Sequence, residues 1–226
     1  MNMMTNIIMV IILSIATLTQ VSKQDFSATI TGQVKDAYGH PVPNAKVLAR
    51  LTPPTSGRIP AGYTDPDGNF SIVVRTPGTY RLYAGKEELF HPIADCPYYD
   101  VDRIIPPEVM VADKETINAG TVLLNSQGAK LALRIVDAET GDPINEAGIG
   151  FRRDDNPDSW LGVGLGQADA GKITVLVPSI PIRIEVQADG YKNWYYGGDG
   201  TIKQALSLYL IAGTTEELEI RLRRHK

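Results

Sequence analysis

Two stretches of the sequence carry one shared pattern that decides the fold: VKDAYGHPVPNAKV at residues 34–47 and IVDAETGDPINEAGI at residues 135–149. In each stretch a glycine precedes a proline by two positions, the proline precedes an alanine by four, and the alanine precedes a β-branched residue by two. The second stretch has one extra residue before its glycine. A repeat at this distance indicates two similar domains rather than a solenoid of short units.

A second pair of matching stretches lies downstream, DGNFSI at residues 67–72 and AGKITV at residues 170–175. Across the matching positions the offset between the two halves ranges from 101 to 103 residues. A drift this small is typical of duplicated domains whose loops have changed. We therefore predict one domain over residues 23–125 and a second over 129–226, joined through the polar stretch NSQG at residues 125–128.

The local pattern is that of β-strands. Every second residue is apolar at residues 70–74, 182–188 and 217–223, and the residues between them are polar except Val73. This period places one set of side chains on a buried face and the other set in water. The dipeptide Asp67-Gly68 lies between two extended runs, where glycine favours a tight turn because it accepts a positive φ. The sequence therefore predicts an all-β fold of two antiparallel sandwiches.

The N-terminal segment differs from the rest of the chain. Residues 7–18 form an apolar run that is too short for a bilayer span of about 20 residues. Its length suits the apolar core of a secretory signal, which predicts a signal peptide over residues 1–22 and an exported, extracytoplasmic protein. An uncleaved anchor or a core strand is the alternative, and membrane contact is expected only through an uncleaved signal segment.

The ordered motifs resemble the carboxypeptidase regulatory-like domain family. The first half has the Gly-x-Pro turn at Gly39, the Asp-Gly turn at Gly68, and then PGTYRLYA at residues 77–84. The second half contains ADGY at residues 188–191, like the ending of the family pattern. The resemblance implies a transthyretin-like Greek-key β-sandwich, present in two tandem copies. Such domains often accompany a zinc carboxypeptidase domain or an outer-membrane receptor barrel, neither of which is encoded here, so no catalytic residues carry over.

The composition argues against several classes of function. A net charge of −4 lacks the basic excess of nucleic-acid-binding proteins, so no nucleic-acid partner is expected. The single cysteine, Cys96, excludes an internal disulfide framework and a multi-cysteine metal site. The three histidines, at positions 40, 91 and 225, form no zinc-peptidase motif, so neither a metal nor another cofactor is expected. Residues 65–69, DPDGN, resemble the start of a calcium loop, but the ligand pattern does not continue and a hairpin turn is favoured.

Aromatic residues form the candidate binding site. The stretch YKNWYYGGDG at residues 191–200 predicts an exposed loop, because three consecutive aromatic residues cannot all face one side of a strand. Exposed aromatic rings bind sugar faces or peptide prolines with a large contact area at low entropic cost. The alternative is that Tyr191 and Trp194 close the open end of the sandwich. The candidate binding residues are Trp194, Tyr195, Tyr196, Trp160, Tyr98 and Tyr99.

These observations predict a non-catalytic, exported binding or structural module that presents loops to a polysaccharide or to a protein of the cell envelope. The first alternative is a small exported enzyme or enzyme accessory that uses Cys96, with His91 nearby in sequence, or a bound metal. The second alternative is assembly with a β-protein through an edge strand. The sequence leaves the oligomeric state open.

Overall fold

The computed structural model describes residues 26–156, 158–166, 169–198 and 200–225, so the predicted signal segment at residues 1–22 lies outside the described residues. Within these ranges the chain forms two β-sandwiches, each with two sheets around its own hydrophobic core. The predicted all-β class and the predicted pair of sandwiches are confirmed. No helix in the described part of the chain is long and apolar enough to cross a membrane.

The first sandwich contains seven strands and one short 3-10 turn at Glu87–Leu89. Its strands are β1 (Ala28–Lys35), β2 (Lys46–Thr52), β3 (Ala61–Tyr63), β4 (Asn69–Val74), β5 (Gly78–Gly85), β6 (Glu108–Val111) and β7 (Thr116–Leu123). One sheet has the strand order β4-β1-β7 and the other has the order β3-β2-β5-β6.

The second sandwich repeats this arrangement. Its strands are β8 (Gly128–Asp137), β9 (Ala147–Arg153), β10 (Trp160–Leu165), β11 (Lys172–Pro178), β12 (Ile182–Gln187), β13 (Trp194–Tyr195) and β14 (Thr215–Leu222). The sheets have the orders β11-β8-β14 and β10-β9-β12-β13. Each strand of the first sandwich therefore has a counterpart at the same place in the second.

One strand pair in each sandwich is parallel, and the other strand pairs are antiparallel as the sequence predicts. The parallel pairs are β1 with β7 and β8 with β14. A parallel pair needs a long crossover connection, which the five intervening strands of each sandwich provide. Local alternation predicts a strand and its buried face, but not the direction of the neighbour that a distant part of the chain supplies.

The cores follow the predicted alternation. In β4 the side chains of Phe70, Ile72 and Val74 are at most 4% exposed, while the residues between them face solvent. In β12 the buried set is Ile182, Ile184 and Val186, each 0% exposed. A period of two thus places the apolar residues of both strands between the sheets.

The repeated turn brings one glycine against the first strand of each sandwich. Gly68 has a φ of 77°, and its carbonyl accepts a hydrogen bond of 2.8 Å from the Val34 N–H. Gly171 has a φ of 72° and accepts an equal bond of 2.8 Å from Ile135. A Cβ on Gly68 would lie 2.9 Å from the Val34 oxygen, and one on Gly171 would lie 2.7 Å from the Ile135 oxygen. Both the φ and the close approach therefore require glycine.

A segment of the first sandwich packs into the second. We call residues 92–104, between Glu87–Leu89 and β6, the crossing segment. Its Tyr98 is 0% exposed and belongs to the second core, where its ring centroid lies 6.5 Å from that of Phe151. Its neighbour Tyr99 donates a hydrogen bond of 2.8 Å to the Leu176 carbonyl. The two predicted domains therefore share a core side chain.

Two arginines hold the crossing segment in place. Arg153, at the end of β9, donates from Nη1 to the carbonyls of Pro97 at 2.9 Å and Asp100 at 3.1 Å. Its Nε and Nη2 bind both carboxylate oxygens of Asp155, at 2.8 and 2.6 Å. On the other side, Arg50 of β2 forms an ion pair with Asp95. Charge-assisted bonds thus fix the segment to both sandwiches.

The short junction between the sandwiches is bound as well. The Gly128 N–H donates to the Phe90 carbonyl at 2.7 Å, and the Ser126 side chain donates to Asp102 at 2.8 Å. Gln127 donates to the Leu89 carbonyl at 3.1 Å. The junction is therefore held along its length by residues that precede β6.

Replacing Gly68 by alanine should destabilise the chain more than replacing Gly39. Gly39 also has a positive φ, 84°, but a Cβ there would meet nothing within 4 Å. We expect Gly39→Ala to lower the free energy of unfolding by about 1 kcal/mol through backbone strain alone. Gly68→Ala should lower it by about 1–3 kcal/mol more, because Val34 must also move. Denaturant titrations of both variants measure the difference, and equal losses would contradict the close contact.

Shortening Tyr98 should destabilise the second sandwich although Tyr98 precedes that sandwich in the chain. Tyr98→Ala should cost about 3–5 kcal/mol, the range for deleting a buried aromatic side chain. Tyr98→Phe should be neutral or stabilising by about 1 kcal/mol, because the buried hydroxyl has no hydrogen-bond partner among the described residues. Chemical denaturation distinguishes the two, and equal stability of the Ala and Phe variants would show that Tyr98 does not fill the core.

Candidate functional site

The outer face of the sheet β10-β9-β12-β13 brings Trp160 and Tyr195 onto one surface. The register pairs Trp160 with Arg152, and it pairs Tyr195 with Glu185. Directly opposed residues of antiparallel strands point to the same side of a sheet. Two adjacent rows therefore cross this face, which we call the Trp160 face. The rows are Trp160, Arg152 and Arg183, and then Gly162, Gly150, Glu185 and Tyr195.

The indole of Trp160 lies flat on glycines. A Cβ on Gly162 would lie 2.3 Å from Cη2 and 2.7 Å from Cζ2 of Trp160, and one on Gly150 would lie 3.0 Å from Nε1. Because a Cβ projects away from the sheet, a ring this close to both positions must cover the backbone rather than stand above it. Trp160 is nevertheless 56% exposed. One face of the ring contacts the glycines and the other is open to solvent.

Polar side chains lie beside the indole. A Cβ on Gly150 would lie 2.8 Å from Oε1 of Glu185, so this carboxylate shares the glycine surface with the Trp160 N–H. Arg183 donates from Nε to Asp154 Oδ1 at 2.6 Å and also bonds the Lys203 carbonyl, which fixes its guanidinium at the margin of the face. The Trp160 face thus combines an aromatic surface with the Glu185 carboxylate and a guanidinium that hydrogen bonds hold in place.

The three consecutive aromatic residues separate onto two sides of the sheet. Trp194 lies opposite Val186, which is 0% exposed, so Trp194 points toward the core. The ring centroids of Trp194 and Tyr196 are 6.3 Å apart in an edge-to-face arrangement, and both rings pack against the second core. Only Tyr195, between them, points to the outer face. Trp194 therefore packs on the core side of the sheet, as in the alternative in which it closes the open end of the sandwich.

The structure does not bring Tyr98 or Tyr99 to the Trp160 face. Tyr98 is completely buried, and burial raises the pKa of its hydroxyl well above the ordinary value. Its ring is not accessible to an external ligand, which argues against Tyr98 as a binding residue. Tyr99 is half-buried at the boundary of the two sandwiches, where its hydroxyl is bound to the Leu176 carbonyl.

The glycines under the Trp160 indole are a part of the site that the sequence analysis did not predict. The signal was present as glycines that alternate in two strands, at 148 and 150 in β9 and at 162 and 164 in β10. Glycine weakens a strand interior, and it often marks a place where another group approaches the backbone closely. Here the indole of Trp160 is that group.

The residues of the enzyme alternative do not form a catalytic pair. The Nδ1 of His91 bonds the Asn125 carbonyl at 2.6 Å, and no hydrogen bond links His91 to Cys96 in the described part of the chain. Among the described residues, no group of three or more His, Cys, Asp or Glu side chains could hold a metal ion. The Asp65 carboxylate accepts the N–H groups of Asn69 and Asp67 at 2.8 and 2.9 Å, as a hairpin turn requires.

A buried carboxylate anchors the chain that leads from β12 to β13. Asp137 is 1% exposed and accepts bonds from the Glu139 N–H at 2.8 Å, Arg224 Nε at 2.7 Å and the Tyr191 hydroxyl at 2.9 Å. The Glu139 N–H and then the Arg224 guanidinium hold the pKa of Asp137 well below its ordinary value of 3.8. Tyr191 is thereby tied to the turn at the end of β8, which fixes the approach to Tyr195.

Asp137→Asn should remove a stabilisation that depends on pH. A depressed folded-state pKa contributes its full stability above the unfolded-state pKa, and this stability is lost as the pH falls through the lower, folded-state value. The wild type should therefore exceed Asp137→Asn in stability at pH 7, and the difference should shrink below about pH 4. Asp142→Asn, in the same turn with an exposed side chain, is the control. Thermal melts from pH 2 to pH 7 measure both, and a pH-independent difference for Asp137→Asn would contradict this account.

Solved structures of three bacterial proteins match this chain at low sequence identity. The Bacillus anthracis TIE protein is 11% identical over 87% of this chain, with a TM-score of 0.36, and this chain spans 34% of its length. The shaft pilin SpaA from Lactobacillus rhamnosus GG is 10% identical, with coverage of 89% of this chain and 98% of the pilin and a TM-score of 0.33. A streptococcal ancillary pilin is 13% identical, with coverage of 88% and 63% and a TM-score of 0.29.

No curated protein matches the chain. A family model does match, and it matches within the first sandwich, from the second residue of β1 to the 3-10 turn before the crossing segment. Residues 29–89 match the model of the carboxypeptidase regulatory-like domain.

Proposed function

We propose that the chain is a non-catalytic, exported module that binds carbohydrate through the Trp160 face. The observation that carries the proposal is the Trp160 indole, which lies flat on two glycines with 56% of the residue exposed. An indole held in this way offers its π-face to a ligand without losing further rotamer freedom. Large aromatic surfaces that are already ordered bind at low entropic cost.

The chemistry of the face fits a sugar ring. A pyranose presents C–H groups on its faces, which contact an aromatic ring, and hydroxyls at its edge, which both donate and accept hydrogen bonds. Glu185 and Gln187 supply acceptors beside the glycine surface, and Gln187 also supplies donors. Hydrogen bonds to a charged group such as Glu185 are stronger than neutral ones and would orient the sugar over the indole.

The dimensions favour a chain of sugars over a single unit. Trp160 lies on one edge strand of the sheet and Tyr195 on the other, with β9 and β12 between them. Three strand spacings separate the two edges, roughly 14 Å. A ligand that contacts both aromatic residues must be extended, which favours an oligosaccharide segment.

We also propose that the second sandwich is a second copy of the carboxypeptidase regulatory-like domain, and that the domains are residues 23–125 and 129–226. Support comes from the identical strand order of the two sandwiches and from the equivalent contacts of Gly68 and Gly171. The family match itself covers residues 29–89 only.

Binding to insoluble and soluble polysaccharides tests the proposed function. Trp160→Ala should weaken binding at least about tenfold, the effect of losing roughly 1.4 kcal/mol at a central aromatic contact. The full chain and the variant are compared by pull-down and affinity electrophoresis, with circular dichroism to verify the fold. Trp194→Phe, which keeps an aromatic ring on the core side, should bind as the wild type does.

A matched pair of glycine variants provides a sharper control. Gly162→Ala places a methyl group 2.3 Å from the indole and should displace it, with the same loss of binding as Trp160→Ala. Gly164→Ala, at another exposed position of the same strand, meets nothing within 4 Å and should bind normally. If Gly162→Ala and Trp160→Ala both retain wild-type affinity for every polysaccharide bound, the Trp160 face is not the site.

A further inference from the structure

A second cavity lies where the two sandwiches meet, away from the Trp160 face. Its volume is about 840 Å³. The first sandwich contributes Tyr38 and Asn125 to its walls, and the second contributes Ser179 and Tyr209. The crossing segment contributes Tyr99, which its bond to Leu176 holds in place. We call this cavity the cleft.

Two buried polar atoms in the cleft wall are unsatisfied. Asn125 is 6% exposed, and neither its Oδ1 nor the Oγ of Ser179 has a hydrogen-bond partner among the described residues. The backbone of Asn125 is nevertheless fixed, because its main-chain carbonyl accepts a hydrogen bond of 2.6 Å from Nδ1 of His91. Buried acceptors without donors are rare and costly in native proteins. Asn125 lines the cleft from the first sandwich and Ser179 lines it from the second, so a ligand there that brings hydroxyl donors would satisfy both.

Exposed aromatic rings lie on opposite sides of the cleft. Tyr38 is 87% exposed and Tyr209 is 62% exposed. Tyr38 belongs to the turn after β1, and Tyr209 precedes β14, so each sandwich supplies one ring. Tyrosine combines a flat apolar face with a polar hydroxyl, a combination suited to sugars.

The charges of the cleft restrict the ligand further. No lysine or arginine occurs among the described residues that line it, whereas Asp36 and Asp102 do. An anionic ligand would therefore meet carboxylates and no fixed cation. The described residues also contain no cluster of His, Cys, Asp or Glu that would hold a metal ion. The residues that line the cleft therefore favour a neutral ligand that is rich in hydroxyls.

We propose that the cleft is a second binding site, which takes one or two sugar rings of a neutral glycan. The ring faces contact Tyr38 and Tyr209, and two hydroxyls donate to Asn125 Oδ1 and Ser179 Oγ, which are closed to solvent and turn toward the cavity when the ligand binds. The site is independent of the Trp160 face, since the two share no residue. A chain with both sites would hold a glycan at two points and gain avidity from the second contact.

The cleft is tested in the full chain that carries Trp160→Ala, so that the first face does not contribute. The probes are neutral disaccharides, namely cellobiose, maltose, xylobiose and mannobiose, and binding is followed by saturation-transfer NMR and calorimetry. Ala212→Trp fills the cleft from an exposed position in its wall. Ile211→Trp is the matched control, because Ile211 is 64% exposed and does not line the cleft. Ser179→Ala removes one acceptor without adding bulk.

We expect at least one disaccharide to bind in the Trp160→Ala background. Ala212→Trp should abolish that binding, Ser179→Ala should weaken it about tenfold, and Ile211→Trp should leave it unchanged. Absence of all disaccharide binding, or equal binding by Ala212→Trp and Ile211→Trp, would overturn the proposal. So would binding of proline-rich peptides in place of every disaccharide.

The same variants separate this proposal from the proposed function. Binding that Trp160→Ala abolishes and Ala212→Trp leaves intact would support the Trp160 face and overturn the cleft. Binding that Ala212→Trp abolishes and Trp160→Ala leaves intact would do the opposite. Each site can therefore fail without the other.

Discussion

The insertion of Tyr98 into the second core is the contact on which the arrangement of the two sandwiches depends. The ring is fully buried beside Phe151, although its segment belongs by chain order to the first sandwich. The carbonyls around it are satisfied by Arg153, whose side chain is only 3% exposed and whose charge is balanced by Asp155. A buried cation without these partners would be strongly destabilising. The aromatic ring, the guanidinium and the carboxylate therefore stabilise the junction together.

The insertion of Tyr98 also holds the crossing segment in place, and that segment forms part of the walls of the cleft. Four residues of the crossing segment line the cleft, namely Tyr99, Val101, Asp102 and Ile104. Residues 125–127, in the short stretch that joins the two sandwiches, line it as well. A cavity made by two freely moving domains would have to be assembled at each binding event. A cavity whose walls are tied to both sandwiches is already ordered, so a ligand loses less conformational freedom on binding. The Trp160 face is preorganised in a different way, because the Trp160 ring lies on the backbone of the edge strand β10 and of its neighbour β9.

The parts of the structure that could be predicted from the sequence are those that local periodicity and turn chemistry determine. The alternation at residues 70–74 predicts the buried set in β4, and the Asp-Gly turn predicts the positive φ found at Gly68. Gly171, at the matching position of the repeat, has a positive φ as well. The argument that three adjacent aromatic residues must divide between two faces also holds for residues 194–196. Which of them faces outward depends on the pairing with β12, and no local pattern contains that register.

The burial of Tyr98 and the orientation of the Trp160 ring could not be predicted from the sequence, for the same reason. Tyr98 is removed from solvent by residues more than fifty positions away, such as Arg153, in a loop without periodicity. Trp160 is held by glycines whose role appears only when β9 and β10 are paired. Both depend on contacts between distant segments, which composition and spacing do not determine.

The central claim is that the ligand binds over Trp160 and not over Trp194, the tryptophan among the consecutive aromatic residues at 194–196. The chain has two tryptophans, one at each of these places, and so has two indole N–H signals in a proton–nitrogen NMR spectrum. A titration of the labelled chain with an oligosaccharide that it binds should shift the Trp160 indole signal and the amides of Gly150 and Gly162. The Trp194 indole signal should stay in place. A shift of the Trp194 signal, with the Trp160 signal unchanged, would contradict the account.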